Sequence, residues 1–243
     1  MKIVVFDLWG DYGHFKVPYT TTSPLTLPIP SKTALYGIIG AMLGYDKRNY
    51  LRYFQNKVWK VAIGLKNPVA KTHIAENLLN TKVVKMFARM EKGKSCRTQI
   101  RFEFLKNPSF RVYVTSSDVS ELQKLADTLF AHKTAYSVSL GISECLANFN
   151  FVGCFEENEK NSNDCFIELN SVLPLSSIHS SSEIDVTRSD RKYIKVHAPL
   201  EMKEDRELIQ SEDFLVETNG KTIFAKIQNF VQIKELNESI VLF

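Results

Sequence analysis

The chain has 243 residues, of which 44% are apolar and 24% charged, with a formal net charge of +4. That length suits one large domain or two small ones with a buried core, and no run of about 18 apolar residues exists to cross a membrane as a helix. The charge is unevenly spread: residues 1–101 hold 17 Lys/Arg against 5 Asp/Glu, a balance of +12, whereas residues 102–243 hold 14 against 22, a balance of −8. A solvated basic loop would explain a short run of cations. An excess across half a chain points instead to a polyanion partner. Cys96, Cys145, Cys154 and Cys165 form no C-x-x-C pair, and the apolar start lacks a basic n-region and a cleavage site. Reduced thiols, a cytoplasmic location and no membrane partner are therefore expected.

In chain order, KIVVFDLW reads as a strand and is followed by a Thr-rich crossing over residues 11–30. Ser31 then N-caps a helix that Gly44 closes, with Ala34, Leu35, Ile38, Ile39, Met42 and Leu43 as its apolar stripe. Gly37 and Gly40 each weaken that helix by roughly 1 kcal/mol, which predicts close backbone approach to a sheet or a ligand. The helix start, with its unpaired amides and Lys32, is a candidate anion site. Asp46 opens a second short helix carrying Tyr50, Leu51 and Phe54. Val58–Leu65 alternates as a strand. Gln99–Phe104 and Phe110–Thr115, joined by Lys106-Asn107-Pro108-Ser109, read as a hairpin. Asp118 and Glu121 start an amphipathic helix through Phe130, and a last strand lies near Leu146–Phe155.

This order, strand-helix-strand-strand-helix-strand, predicts an α+β fold of ferredoxin-like (RRM) type. The insertion at about 67–98 is too long for an ordinary loop and holds Lys71, Lys82, Lys85, Arg89, Lys92, Lys94 and Arg97. It reads as a projecting basic arm, helical in part or hairpin-like. Beyond the polar run Glu156–Asp164 the chain reads as a small antiparallel β subdomain, with a mobile Ser-rich stretch at Ser176–Asp190 and a two-residue hairpin turn at Asn219-Gly220. The predicted division is 1–157 and 158–243.

The run G-D-Y-G-H-F-K from Gly10, the Thr-rich crossing and P-S-K-T-A-L-Y-G-I-I-G-A-M-L-G from Pro30, together with Y-S-V-S-L-G-I-S-E-C from Tyr136, resemble the signatures of Cas family five. That family belongs to the RAMP superfamily of CRISPR-associated proteins in type I systems. The likeness covers roughly residues 1–155, and the chain looks closest to type I-B. It implies a RAMP domain whose insertion is a thumb that grips RNA. It further implies a subunit of a Cascade-type complex that caps the 5′ handle of the CRISPR RNA, contacts the backbone RAMP subunit and the large subunit, and meets target DNA only indirectly. RNA contacts are expected from Phe15, Lys16, Ser31, Lys32 and Tyr36, from Lys82, Lys85, Arg89 and Arg97 of the arm, and at Gly141, where a glycine lets backbone approach the RNA. Sequence readout of the single-stranded RNA would fall to bases splayed on the sheet and near the thumb.

No metal or cofactor is expected. His14, His73, His132, His179 and His197 are isolated, and Walker, G-x-G-x-x-G and G-x-S-x-G motifs are absent from the sequence. One branch of the family cuts repeat RNA through its 2′-hydroxyl, which needs a base, an acid and a cation but no metal. His14, Tyr36 and Lys32, or His132 with Lys133, are the candidates for that chemistry. An isolated histidine more often makes a structural hydrogen bond, so a non-catalytic binding subunit is the expectation and a metal-independent endoribonuclease the alternative.

Overall fold

A computed structural model describes residues 2–20, 22–54, 59–81, 88, 96–161, 165–178 and 183–243. It is mostly strand with few helices. In chain order these are β1 (Lys2–Trp9), β2 (Tyr12–Gly13), α1 (Lys32–Leu43), α2 (Tyr50–Phe54), β3 (Trp59–Leu65), β4 (Lys71–Leu79), β5 (Arg97–Lys106), β6 (Ser109–Ser116), α3 (Val119–Phe130) and β7 (Asn148–Glu156). β8 (Asn158–Asn161), β9 (Ile167–Leu169), β10 (Leu173–Pro174), β11 (Tyr193–Met202), β12 (Leu208–Glu217), β13 (Ile223–Ala225), β14 (Asn229–Ile233) and β15 (Glu238–Ile240) follow.

The central sheet has the order β3-β6-β1-β7 with antiparallel neighbours throughout. Its two faces are set by the alternation of side chains along each strand. Val4, Phe6 and Leu8 of β1, with Val61, Ile63, Val112 and Val114, face α1 and α3 in the main core. Ile3, Val5, Ala62 and Tyr113 point the other way, and Val231, Ile233 and Ile240 of the C-terminal strands bury them to 1% exposure or less. Val196, Ala198, Phe214 and Val216 of β11 and β12 join the main core as well.

The helix ends follow their local sequence signals. Ser31 accepts the Ala34 amide at 3.3 Å, and Gly44 ends α1 in the left-handed region at φ 82°. Asp118 caps α3 by accepting the Ser120 and Glu121 amides at 3.1 and 3.2 Å. Asp46 differs from expectation. Its side chain takes the Arg48 amide and its carbonyl the Asn49 and Tyr50 amides, so it closes a turn and α2 begins only at Tyr50.

Two further expectations are corrected. β5 and β6 are consecutive but do not pair: β6 lies between β3 and β1, while β5 pairs with β2 and β4 in a second sheet. The turn between them does form, with Asn107 at φ 47°, but the chain turns a corner there because residues 10–11 claim it. The Gly10 amide bonds the Pro108 carbonyl and the Asn107 amide bonds the Asp11 carbonyl. Asn219-Gly220 also turns, with Gly220 at φ 76°, yet β12 goes to β11 and β13 goes to β9. Buried Glu217 holds that corner by accepting the Lys192 and Lys221 amides. In the Ser-rich stretch, residues 183–190 are tied to β13: Ile184 bridges Ala225, and the Arg188 guanidinium lies 3.4 Å over the Phe224 ring.

Gly37 and Gly40 face Tyr50 of α2 and not a sheet. A Cβ at Gly37 would lie 3.9 Å from the tyrosine hydroxyl and one at Gly40 would lie 3.4 Å from its Cβ, both ordinary contacts. Space does not demand glycine at Gly37, so the helix-propensity gain should be realised. Gly37→Ala is expected to stabilise the protein by about 0.5–1 kcal/mol, read as a higher urea midpoint at unchanged slope. A lower midpoint would mean that α1 needs flexibility at this position.

Candidate nucleic-acid interface

β4 and β5 form a two-stranded arm that pairs from Lys71↔Leu105 to Leu79↔Arg97, and the Asn80 amide donates to the Cys96 carbonyl at 2.8 Å near its outer end. Directly opposed residues share a face. One face carries His73, Ala75, Asn77, Gln99, Arg101 and Arg97, all exposed, with Lys71 at its base. The opposite face carries Ile74, Ile100 and Phe102 and leans on the body of the protein through His14, whose ring lies 5.4 Å from Phe102 and 5.5 Å from Phe104. The predicted contacts Lys82, Lys85 and Arg89 lie outside the described residues.

The Thr-rich loop runs beside the base of this arm. Lys16 bridges Thr26 and is exposed, Tyr19 is 79% exposed, and the Glu103 amide bonds the Pro24 carbonyl at 3.0 Å. Phe15 does not join this surface. It is buried, meets Phe110 edge-on, and donates its amide to the Thr26 hydroxyl at 3.0 Å.

A second feature is a cavity of about 270 Å³ at the start of α1, lined by Lys32, Thr33 and Tyr36, by Leu51 and Phe54 of α2, and by the end of the β11–β12 pair, including Lys203 and Ile209. Ser31 does not line it, because its hydroxyl caps the helix and bonds Thr33. Tyr36 stacks on Phe54 at 4.3 Å and donates its hydroxyl to the Trp59 carbonyl at 2.9 Å. Burial first, and the Glu201 charge second, push the Tyr36 pKa well above the ordinary tyrosine range. The Lys32 ammonium sits 5.7 Å from the centre of the same ring.

The candidate catalytic groups are thus divided. Lys32 and Tyr36 share this cavity, whereas His14 is 2% exposed, with Nδ1 2.7 Å from the Glu103 carbonyl, and does not line it. His132, in the left-handed region just past α3, stacks on Phe149 at 4.6 Å. Gly141 makes its close approach to protein: at φ 95°, a Cβ there would fall 1.9 Å from the His14 carbonyl oxygen. Among the described residues no group of three or more His, Cys, Asp or Glu is arranged to hold a metal ion, and no helix is long and apolar enough to cross a membrane.

Comparison with known proteins gives this architecture a family. The family model for CRISPR-associated protein (Cas_Cas5) matches residues 3–173. The chain belongs to the Cas5 family. No curated protein matches it. Among solved structures, it is similar to a chain of a CRISPR RNA-guided surveillance complex at 14% identity and TM-score 0.56, with 93% of this chain and 92% of that one covered. It is also similar to a CRISPR protein from Archaeoglobus fulgidus at 12% identity and TM-score 0.54, with 99% and 98% covered. At such identities the likeness is one of fold.

Within this Cas5 family member, sequence reasoning missed the residues that meet only in three dimensions. Lys203 and Ile209 reach the α1 cavity from a hairpin more than 150 positions away from Lys32. Lys71 lies in the basic insertion, but the face it shares with Arg101 depends on β4–β5 pairing, which a hairpin reading of β5 with β6 hides. The expectation that bases lie on the sheet is also corrected. Helices cover one face and the protein's own C-terminal strands cover the other.

Proposed function

We propose that this Cas5 family member is a non-catalytic subunit of a type I-B-like Cascade complex that holds the 5′ handle of the CRISPR RNA. In this reading residues 1–157 are a ferredoxin-like RAMP domain and the β4–β5 arm is its thumb. Residues 158–243 are a β subdomain that caps the sheet. The RNA runs along the exposed polar face of the arm and the adjoining Thr-rich loop, meeting Arg97, Arg101, Lys71, Lys16 and Tyr19. Lys82, Lys85 and Arg89 are further proposed RNA contacts, and Lys32 offers a second phosphate contact at the start of α1. The backbone RAMP subunit and the large subunit are the protein partners, and the acidic C-terminal half is the docking side. The single observation that carries the reading is the exposed cationic face of a strand pair that leans on the core by its other face. An exposed tyrosine beside cations suits stacking of unpaired bases.

The binding reading is favoured over cleavage by the division of His14 from Lys32 and Tyr36, and by the commitment of the tyrosine hydroxyl to a backbone carbonyl. Labelled repeat RNA incubated with the purified protein in EDTA should be retained on filters and stay full length. Arg97→Glu with Arg101→Glu should weaken retention by about tenfold or more and flatten the dependence of log K on log salt by about 0.7 per lost phosphate contact. RNA cut to a 2′,3′-cyclic phosphate end, with cutting lost in His14→Ala, would establish the endoribonuclease instead.

A further inference from the structure

The loop and the arm meet in one knot of polar contacts centred on Glu103. Its carboxylate accepts the Lys71 ammonium at 2.8 Å and the Thr26 amide at 3.0 Å. Lys71 in turn donates to the Thr26 carbonyl at 2.8 Å, so carboxylate and ammonium together hold both backbone groups of one loop residue, its N–H and its C=O. The backbone of Glu103 adds two more ties, its amide to the Pro24 carbonyl at 3.0 Å and its carbonyl to His14 Nδ1 at 2.7 Å. The clamp is partly shielded from water: the Glu103 side chain is 13% exposed and that of Lys71 34%. Burial pushes the Glu103 pKa up, but the Lys71 and Thr26 bonds outweigh it and hold the carboxyl below its usual range, so the clamp is charged at neutral pH.

We propose that Glu103 is a positioning residue for RNA binding, an anion placed within a cationic face to fasten the Lys16–Tyr19 loop to the Lys71–Arg101 face of the arm so that one RNA strand meets both. The proposal rests on the RNA-binding reading above. Its test exploits a difference in sign. Glu103 is a negative charge paired with Lys71 and opposite His73, on the face that also carries Arg101. If the face attracted RNA by its field alone, removing that charge and releasing Lys71 would tighten binding. If Glu103 positions the loop, the same change loosens binding, because the loop must be ordered again at the expense of affinity.

Two variants keep the test clear of folding defects. Glu103→Ala removes the clamp. Glu103→Gln keeps the volume and an acceptor for the Thr26 amide but loses the ion pair. Glu235→Gln, exposed in the β14–β15 turn, controls for loss of a negative charge elsewhere. Filter binding at fixed salt should show Kd raised about tenfold, or about 1.4 kcal/mol, in Glu103→Ala. Glu103→Gln should fall between that variant and wild type, and Glu235→Gln should match wild type. Hydrogen exchange without RNA should quicken at the Thr26 amide in Glu103→Ala. A folded Glu103→Gln that binds as tightly as wild type or tighter overturns the positioning role, as does unchanged exchange at Thr26. Wild-type protein that retains no RNA overturns the reading of the face itself.

Discussion

Gly141→Ala is expected to destabilise the protein by about 2 kcal/mol or more. Two independent costs meet at this position. The backbone lies at φ 95°, where an L side chain is strained, and the added Cβ would fall 1.9 Å from the His14 carbonyl oxygen and 3.3 Å from the Phe15 nitrogen. Both neighbours are backbone, so no side chain can swing aside. The segment they belong to is pinned as well: the His14 amide bonds the Leu140 carbonyl at 2.9 Å, and the Leu140 amide bonds the Cys145 carbonyl at 2.7 Å. Relief therefore requires moving residues 14–15 or the 139–146 loop, and residue 14 is tied to Glu103 and the arm. Urea unfolding should show the loss as a lower midpoint. A variant as stable as wild type that has nonetheless lost RNA affinity would return Gly141 to the role the sequence suggested, close approach to RNA.

That glycine shows what was legible in the chain. The need for a residue without a side chain could be read from the L-G turn, but the object it approaches could not, because His14 is more than 120 positions away. Helix ends were legible for the opposite reason: Ser31 with Ala34, and Asp118 with Glu121, make contacts within one turn. Strand partners were less so. A turn signal at Asn107-Pro108 is local, whereas the hold of Gly10 and Asp11 on that turn is not. One clue did exist. β5 alternates charged and apolar residues, as a half-exposed strand does, while β6 reads SFRVYVTS and is buried for most of its length. Strands so different in burial seldom lie side by side with equal cover.

The cover over the sheet had a comparable clue. β1 is apolar at both parities, Ile3 and Val5 as well as Val4, Phe6 and Leu8, which marks a strand enclosed on two sides. An RRM-type sheet with a face open to bases would place polar or aromatic residues at one parity. The candidate site was legible as charge and not as geometry. The sequence shows that residues 1–101 are basic, but which cations share a surface follows from the β4–β5 register and from the clamp of Glu103 on Thr26.

The C-terminal cover is itself locked by charge, and Arg111→Met should cost about 3 kcal/mol at neutral pH. Arg111 stands opposite Asp7 in the β1–β6 pairing and grips it with two nitrogens, Nε at 2.8 Å and Nη2 at 3.1 Å. Its third nitrogen reaches Glu238 of β15 at 2.6 Å, whose other oxygen accepts the Tyr113 hydroxyl at 2.8 Å, and Lys66 completes the set on Asp7 at 2.5 Å. Methionine would fill much of the volume but would leave two carboxylates, 11% and 14% exposed, without the guanidinium between them. The loss should depend on pH with a definite sign. Burial draws the Asp7 pKa up, but the bonds from Arg111 and Lys66 outweigh it, so the folded value lies below the ordinary 3.8. A depressed folded pKa gives stability that is complete above the unfolded value and disappears as pH falls through the folded one. Wild type therefore loses this contribution on acidification below about pH 4, and Arg111→Met, which has already lost most of it, does not. Urea midpoints at about pH 7 and about pH 2.5 should show the gap between the two proteins narrowing in acid. A gap of constant size would mean that Arg111 secures the C-terminal strands by packing alone, with the Asp7 charge contributing nothing.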